Sequence, residues 1–247
     1  MEKSAVKDEF SEKIGRLTQS HAYLDFCEEV YGVREYLFNM MDKEQLDYVL
    51  RLIPMTTDDI VLDLGCGTGS ILNRIVAKYG CMGVGIDMLN GITTPHDGRT
   101  RFICGDIDRF TDYNVVPSIT LSVDSLYFSS DLDKLVRELA QIRNNRLYFF
   151  YSQYLFDEAE DKGLLQSGNT RLAQALSKAD MSFQTMDFSG NEHRLYIHME
   201  KALSKLEHAF ALEGNADLYE QKLCEVRLGI ELFETDRASR YLYISES

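Results

Sequence analysis

Apolar residues recur along this chain with two different periods, and the switch between them divides it. Up to Pro54 the spacing is helical. Phe10, Ile14 and Leu17 stand four and three apart, and Tyr23, Phe26 and Val30 repeat the pattern beside Leu24, Cys27 and Tyr31. Gly32 ends that segment. Asp42 followed by Gln45 has the form of a capping box, and Leu46, Val49, Leu50 and Ile53 make an apolar stripe closed by Pro54. From Ile60 onward, short apolar runs alternate with helical stretches. The pattern predicts strands at 60–64, 82–86, 101–104, 119–124 and 146–151, with a sixth near 181–188. Helices are predicted over 70–79, from Asp131 or Asp133 to about 143, and from Asn169 or Thr170 to 178. Residues 89–100 contain Gly91, Pro95 and Gly98, which predicts a loop or a short broken turn.

Near residue 190 the period changes again. Leu195, Met199, Leu203 (or Ala202), Leu206 and Phe210 form one stripe. Tyr219, Leu223, Val226, Ile230 and Phe233 form a second, beyond the stop signal Gly214-Asn215. These are two antiparallel helices, and the run Arg240–Ile244 after them has strand character. The expected organisation is a helical N-terminal segment (1–56), a doubly wound α/β core (57–190), a helical hairpin insertion (191–237), hinged near Gly190 and acting as a lid or an interface, and an antiparallel last strand (238–247).

The stretch Val61–Ser70, V-L-D-L-G-C-G-T-G-S, joins strand to helix through Gly65, Gly67 and Gly69. Glycines there permit backbone angles closed to other residues and let a ligand approach the main chain. A phosphate-binding loop would need a Lys after the glycines, and none follows. A dinucleotide fingerprint would place Gly or Ala where Ser70 stands. The spacing G-x-G-x-G, with Asp63 two residues before it, resembles motif I of the class I S-adenosylmethionine-dependent methyltransferases. Further strands end in Asp87, Asp106 and Asp124, which puts four acids on one edge of a parallel sheet. The resemblance covers roughly residues 58–151.

That resemblance implies a Rossmann-like, mostly parallel seven-stranded sheet and S-adenosyl-L-methionine as cofactor. Asp63, Gly65, Cys66, Gly67 and Gly69 would line its methionine and ribose part, with Asp63 holding the loop or the cofactor's ammonium. Asp87 would accept both ribose hydroxyls. Met88 and Ile107 would sandwich adenine, and Asp106 would bond its amino group. Asp124, Ser125, Tyr127 and Phe128 follow strand 4, where the methyl should point, so Asp124 and Tyr127 are the catalytic candidates, and Asp124 would also contact the cofactor. Asp124, His21 and His193 are the candidate bases if the acceptor needs one. Tyr23, Tyr31, Tyr36, Tyr151 and His193, with Ser125 and Phe128, are candidate acceptor contacts. The plain alternative for the N-terminal aromatics, Phe38 included, is core packing.

Composition narrows the acceptor. The chain of 247 residues carries a net charge of −14, and a protein that grips phosphate backbones displays a basic face. Asp124-Ser-Leu-Tyr-Phe128 is not the N-P-P-Y signature of amino-methylating nucleic-acid enzymes. A small-molecule acceptor is therefore expected, with no nucleic acid or membrane partner. Five scattered cysteines suit a reduced cytoplasm, and no apolar run approaches the ~20 residues of a membrane span. No His/Cys set has metal-ligand spacing, so metal-independent transfer by a monomer or homodimer is expected. A protein or peptide methyltransferase, an NAD-dependent oxidoreductase and a non-catalytic cofactor-binding module are the alternatives.

Overall fold

The computed structural model describes residues 12–89 and 98–246. The predicted loop at 89–100 therefore lies mostly outside the described residues, as do Phe10, Gly91 and Pro95. The chain forms two compact units, one of residues 12–38 with His193–Glu231, the other of Asn39–Glu192 with Leu232–Ser247.

The larger unit is a seven-stranded sheet: β1 (Ile60–Leu64), β2 (Met82–Asp87), β3 (Thr100–Cys104), β4 (Ile119–Val123), β5 (Arg146–Tyr154), β6 (Phe183–Asp187) and β7 (Ala238–Glu246). Their order is β3-β2-β1-β4-β5-β7-β6. The first five are parallel, and β7 runs antiparallel to both β5 and β6. The four helices assigned to this unit are α3 (Lys43–Leu52), α4 (Ser70–Tyr79), α5 (Leu132–Ala140) and α6 (Arg171–Lys178). Alternation along β1 sends Leu62 and Leu64 into one apolar layer with α5 and α6. Val61 goes into the other, with Val49 and Ile53 of α3 and Ile71, Leu72 and Ile75 of α4. Both faces are covered, which is why these strands read as apolar runs.

Boundaries differ from expectation where tertiary pairing takes over. β5 continues to Tyr154 because β7 pairs along its whole length, from Arg146↔Glu246 to Tyr154↔Ala238. α5 stops at Ala140 rather than near 143, and Asn144 takes a left-handed turn at φ 60°. β1 and β4 are neighbours from which the chain departs to opposite sides, so the carboxyl ends of these two strands form the switch point where ligands bind in open α/β sheets.

The smaller unit holds the described part of α1 (residues 12–17), α2 (His21–Tyr31) and most of α7 (Ser189–Leu212) and α8 (Ala216–Glu234). Gly229 on α8 has no room for a Cβ, which would lie 2.5 Å from the Tyr196 ring of α7, so it lets the two helices approach. The hairpin tip is fixed to the start of α2. Glu213 accepts from Ser20 Oγ at 2.6 Å and from the Ala22 N–H at 2.9 Å. Arg16 grips Asp217 with both terminal nitrogens, at 2.6 and 2.7 Å. The N-terminal helices and the hairpin are thus one body. Gly190 lies inside the first turn of α7, where the Asn191 and Glu192 N–H groups donate to Phe188 O.

Candidate functional site

The three glycines after β1 are required for different reasons. All have positive φ: Gly65 75°, Gly67 53° and Gly69 79°. A Cβ on Gly65 would sit 2.2 Å from that of Ser125, whose hydroxyl donates to Leu64 O and fastens the segment after β4 to the end of β1. A Cβ on Gly69 would lie 2.4 Å from the Phe102 ring, and one on Gly85 of β2 would meet Phe102 at 2.7 Å and Cys66 Sγ at 2.6 Å. Two loop glycines therefore make room for protein. Of these glycines, only Gly67 would place a Cβ with nothing within 4 Å among the described residues, and there the main chain is open to approach.

Asp87 holds that loop. One carboxylate oxygen accepts the Gly67 N–H at 2.8 Å and the other the Leu89 N–H at 2.9 Å. Of the two roles expected of Asp63, holding the loop or facing the cofactor's ammonium, the first falls to Asp87 among the described residues. Burial raises the Asp87 carboxyl above its usual range, while the Leu89, Gly67 and Met88 N–H groups oppose that rise. A carboxylate has about four lone-pair positions, so Asp87 retains acceptor capacity beyond these two donors. Asp63 is 3% exposed. Among the described residues no protein group donates to its carboxylate, and burial, then the nearby Asp87 charge, push it up to about 7. Asp106 follows β3 and caps a 3₁₀ turn at Ile107–Tyr113, accepting the Asp108 N–H at 3.0 Å. Ile107 is buried in the core, while Met88 is half-buried directly after Asp87.

At the end of β4 the structure holds a group the sequence did not reveal. Asp124, left-handed at φ 56°, forms a fork-to-fork ion pair with Arg240 of β7, whose Nη2 donates at 3.0 Å. Asp124 Oδ2 also accepts the Met40 N–H at 2.7 Å. Arg240 is 0% exposed. Its Nε donates to Gln45 Oε1 at 2.8 Å and its Nη1 to Ser152 Oγ at 2.9 Å. Its guanidinium also lies 5.1 Å from the Phe150 ring centroid. Glu192, equally buried, stands 3.8 Å from Arg240 and accepts hydroxyls from Ser152, at 2.7 Å, and Tyr154. Burial raises the Glu192 carboxyl, against the pull of Arg240. For Arg240 burial acts downward, yet Asp124 and Glu192 carry it above its ordinary value. Both Asp124 oxygens are thus occupied by partners. That geometry suits positioning of the segment after β4. The capping box is corrected as well: Asp42 accepts the Gln45 N–H at 2.7 Å, but the Gln45 amide turns inward, giving its Nε2 hydrogen to Met40 O at 3.0 Å. The sole sequence signal for this hub was an arginine opening an otherwise apolar strand.

The aromatic candidates fall into two groups. Tyr127 and Phe128, 44% and 51% exposed, follow β4 with ring centroids 5.2 Å apart, and Tyr127 lies 6.0 Å from the buried Tyr151 of β5. Tyr23, Tyr31, Tyr36 and His193 belong to the helical unit. There Tyr23 is buried, stacks on Phe26, Tyr36 and Phe38, and gives its hydroxyl hydrogen to Leu37 O at 2.6 Å. Its interactions within that unit are those of a core residue.

Strand order, the antiparallel seventh strand and the glycine turn at the switch point define the class I S-adenosylmethionine-dependent methyltransferase fold. The comparisons agree with that assignment. No model of a known protein family matches the chain. Among solved structures, a phosphoethanolamine N-methyltransferase 2 from Haemonchus contortus, in complex with phosphomonomethylethanolamine and S-adenosylhomocysteine, superposes with a TM-score of 0.75. It is 13% identical, and the match covers 96% of this chain and 60% of that one. The [4+2]-cyclase SpnF superposes at 0.63 with 16% identity, over 83% of this chain and 80% of its own. By sequence, the phosphoethanolamine N-methyltransferase 1 of Zea mays is 27% identical over 131 residues, 49% of this chain and 26% of that protein. The protein arginine N-methyltransferase 1 of Saccharomyces cerevisiae is 35% identical over 91 residues, 36% of this chain and 26% of its own length. The chain thus matches about a quarter of the length of these curated relatives.

Proposed function

We propose that this chain transfers a methyl group from S-adenosyl-L-methionine to an oxygen or nitrogen of a small molecule. The observation that carries the reading is the carboxyl edge at β1 and β2: an open Gly67 main chain held by Asp87, above a buried Asp63 to which no described protein group donates. These residues fit the cofactor. Gly67 offers close approach, Asp87 keeps lone pairs for hydroxyls, and Asp63 offers a negative partner to a cationic group. Met88, Ile107, Asp106, Cys66 and the flanking Gly65 and Gly69 complete the proposed binding set. When bound, the cofactor supplies a methyl already activated on a positive sulfur.

The chain's own contribution is alignment and exclusion of water. Ser125 fixes the segment after β4 to β1 through Leu64 O. Arg240 fixes Asp124 at the head of that segment. Tyr127 and Phe128 then present ring faces, with Tyr151 behind them, as the proposed acceptor contacts. In an in-line displacement the nucleophile's lone pair forms the bond to carbon as the carbon–sulfur bond breaks, and any proton leaves to water or a base. A protein acceptor is the second reading, favoured by the stretch similar to an arginine methyltransferase. Methyl-labelled S-adenosylmethionine incubated with phosphoethanolamine, with a metabolite extract and with an arginine-rich peptide separates the two. Label in small molecules supports the first reading, and label in the peptide alone replaces it with the second. Micromolar affinity for NAD, with none for S-adenosylmethionine in calorimetry, would overturn both.

A further inference from the structure

Asp63 is the buried ionisable group of the proposed cofactor site to which no described protein group donates. Alternation along β1 puts it on the face of Val61, under α4, with Gly85 beside it on β2 and Leu121 on β4. The groups facing it from each element are few. β2 contributes the Asp87 carboxylate and the turn contributes Cys66. β4 contributes only Leu121. α4 buries Ile71, Leu72, Ile75 and Val76, and its Arg74 directs Nε to Ser70 Oγ at 3.4 Å. Asp124, beyond β4, is committed to Arg240 and Met40. A carboxyl group out of water, next to a second carboxylate and given no donor by the described protein, holds its proton well above the usual carboxylate range, so near pH 7 about half of the free protein still carries it. The Cys66 thiol is held protonated by the same burial and the same two acids, so it does not compete for the titration.

We propose that cofactor uptake is coupled to release of the Asp63 proton: a ligand carrying an ammonium group at the glycine turn converts the neutral carboxyl into a carboxylate paired with that cation, and the proton passes to solvent. The proposal rests on the cofactor reading above. The balance is simple: the Asp63 O–H bond breaks, the ligand keeps its protons, and the buffer accepts one. Burial and Asp87 place the titration of the free protein at about pH 7, so the coupling operates across the neutral range.

The test is calorimetric titration of the full chain with S-adenosylhomocysteine at pH 7 in phosphate and in Tris, which differ in ionisation enthalpy. The expected result is release of about half a proton per ligand, and affinity that rises about tenfold from pH 6 to pH 8, as linkage requires for one group emptied on binding. Asp63→Asn, an isostere of the neutral form, should still bind, with buffer-independent heat and a flat pH profile. Should it not fold, the wild-type pH profile alone decides. Heat independent of buffer together with a flat wild-type profile would overturn the proposal. So would proton release that persists in Asp63→Asn, which would assign the proton to another group such as Asp87. Absence of any binding would instead overturn the cofactor reading, and this inference with it.

Discussion

One oxygen of Asp87 takes the Gly67 N–H and the other the Leu89 N–H, so this side chain shapes the loop as well as offering itself to ligand. Asp87→Ala should therefore weaken S-adenosylmethionine binding by about 1.5–3 kcal/mol in calorimetry, the range for losing hydrogen bonds to a charged acceptor. Asp63 behaves in the opposite sense toward stability. Its folded-state carboxyl titrates at about 7, well above an unfolded aspartate. The folded state then binds more protons between these values, and stability falls as pH rises from about 4 to about 7. Asp63→Asn should stabilise the ligand-free protein at pH 8 by ~2 kcal/mol, and by little at pH 4, where the folded carboxyl is protonated and the unfolded one is still about half protonated. Urea unfolding at the two pH values measures the difference. Both acids were legible in the sequence from their place at strand ends. The division of labour between them was not, because it depends on which N–H groups the folded loop presents. Nor was Phe102, whose ring fills the space left by Gly69 and Gly85: a residue in the third strand gives no local sign of the glycines it covers.

At the scale of elements, Arg240 joins β7 to β4 through Asp124, to β5 through Ser152 and to α3 through Gln45. Removing the guanidinium leaves buried acids without their cation. Arg240→Met should cost about 3–5 kcal/mol, and Arg240→Met combined with Asp124→Asn should cost less than the sum of the two single changes, because Asp124 then no longer lacks its cation. A double-mutant cycle from urea unfolding provides the check; additive losses would show that the pair acts separately. Strand and helix positions were readable because each carries its own period. The hub was not, since it depends on partners contributed by distant elements. The hairpin gives a second expectation. Its tip is tied to α2 by Glu213 and to α1 by Arg16. The tip at 212–218 should accordingly exchange its amide hydrogens in step with α2, with or without S-adenosylhomocysteine. Glu213→Ala should speed exchange at both places and leave β1 to β5 unchanged. Protection at the tip that appears only with ligand would restore an independently moving hairpin.

For the whole molecule, the alternation of strand and helix from Ile60 to Lys178 identified the doubly wound sheet, and the two stripes after residue 190 identified the hairpin. What sequence periodicity lacks is information about grouping. The N-terminal stripes all look alike, yet α1 and α2 group with the hairpin while α3 groups with the sheet. No helix of the described residues is long and apolar enough to cross a membrane.

The place of β7 bears on how the protein emerges from the ribosome. β6 is synthesised well before β7, yet its sheet partner is β7, which separates it from β5. During elongation the first five strands have all their parallel neighbours, while β6 waits as an unpaired strand until the hairpin and then residues 238–246 have been made. The same late segment delivers Arg240, so the buried Asp124 and Glu192 await their counter-ion over the same interval. A chain ending at residue 237 should thus expose β6 and the edge of β5 to protease and to association with other chains, whereas one released with residues 238–246 should protect both. Maturation of the sheet and neutralisation of its buried acids would then be a single event, timed by the synthesis of β7.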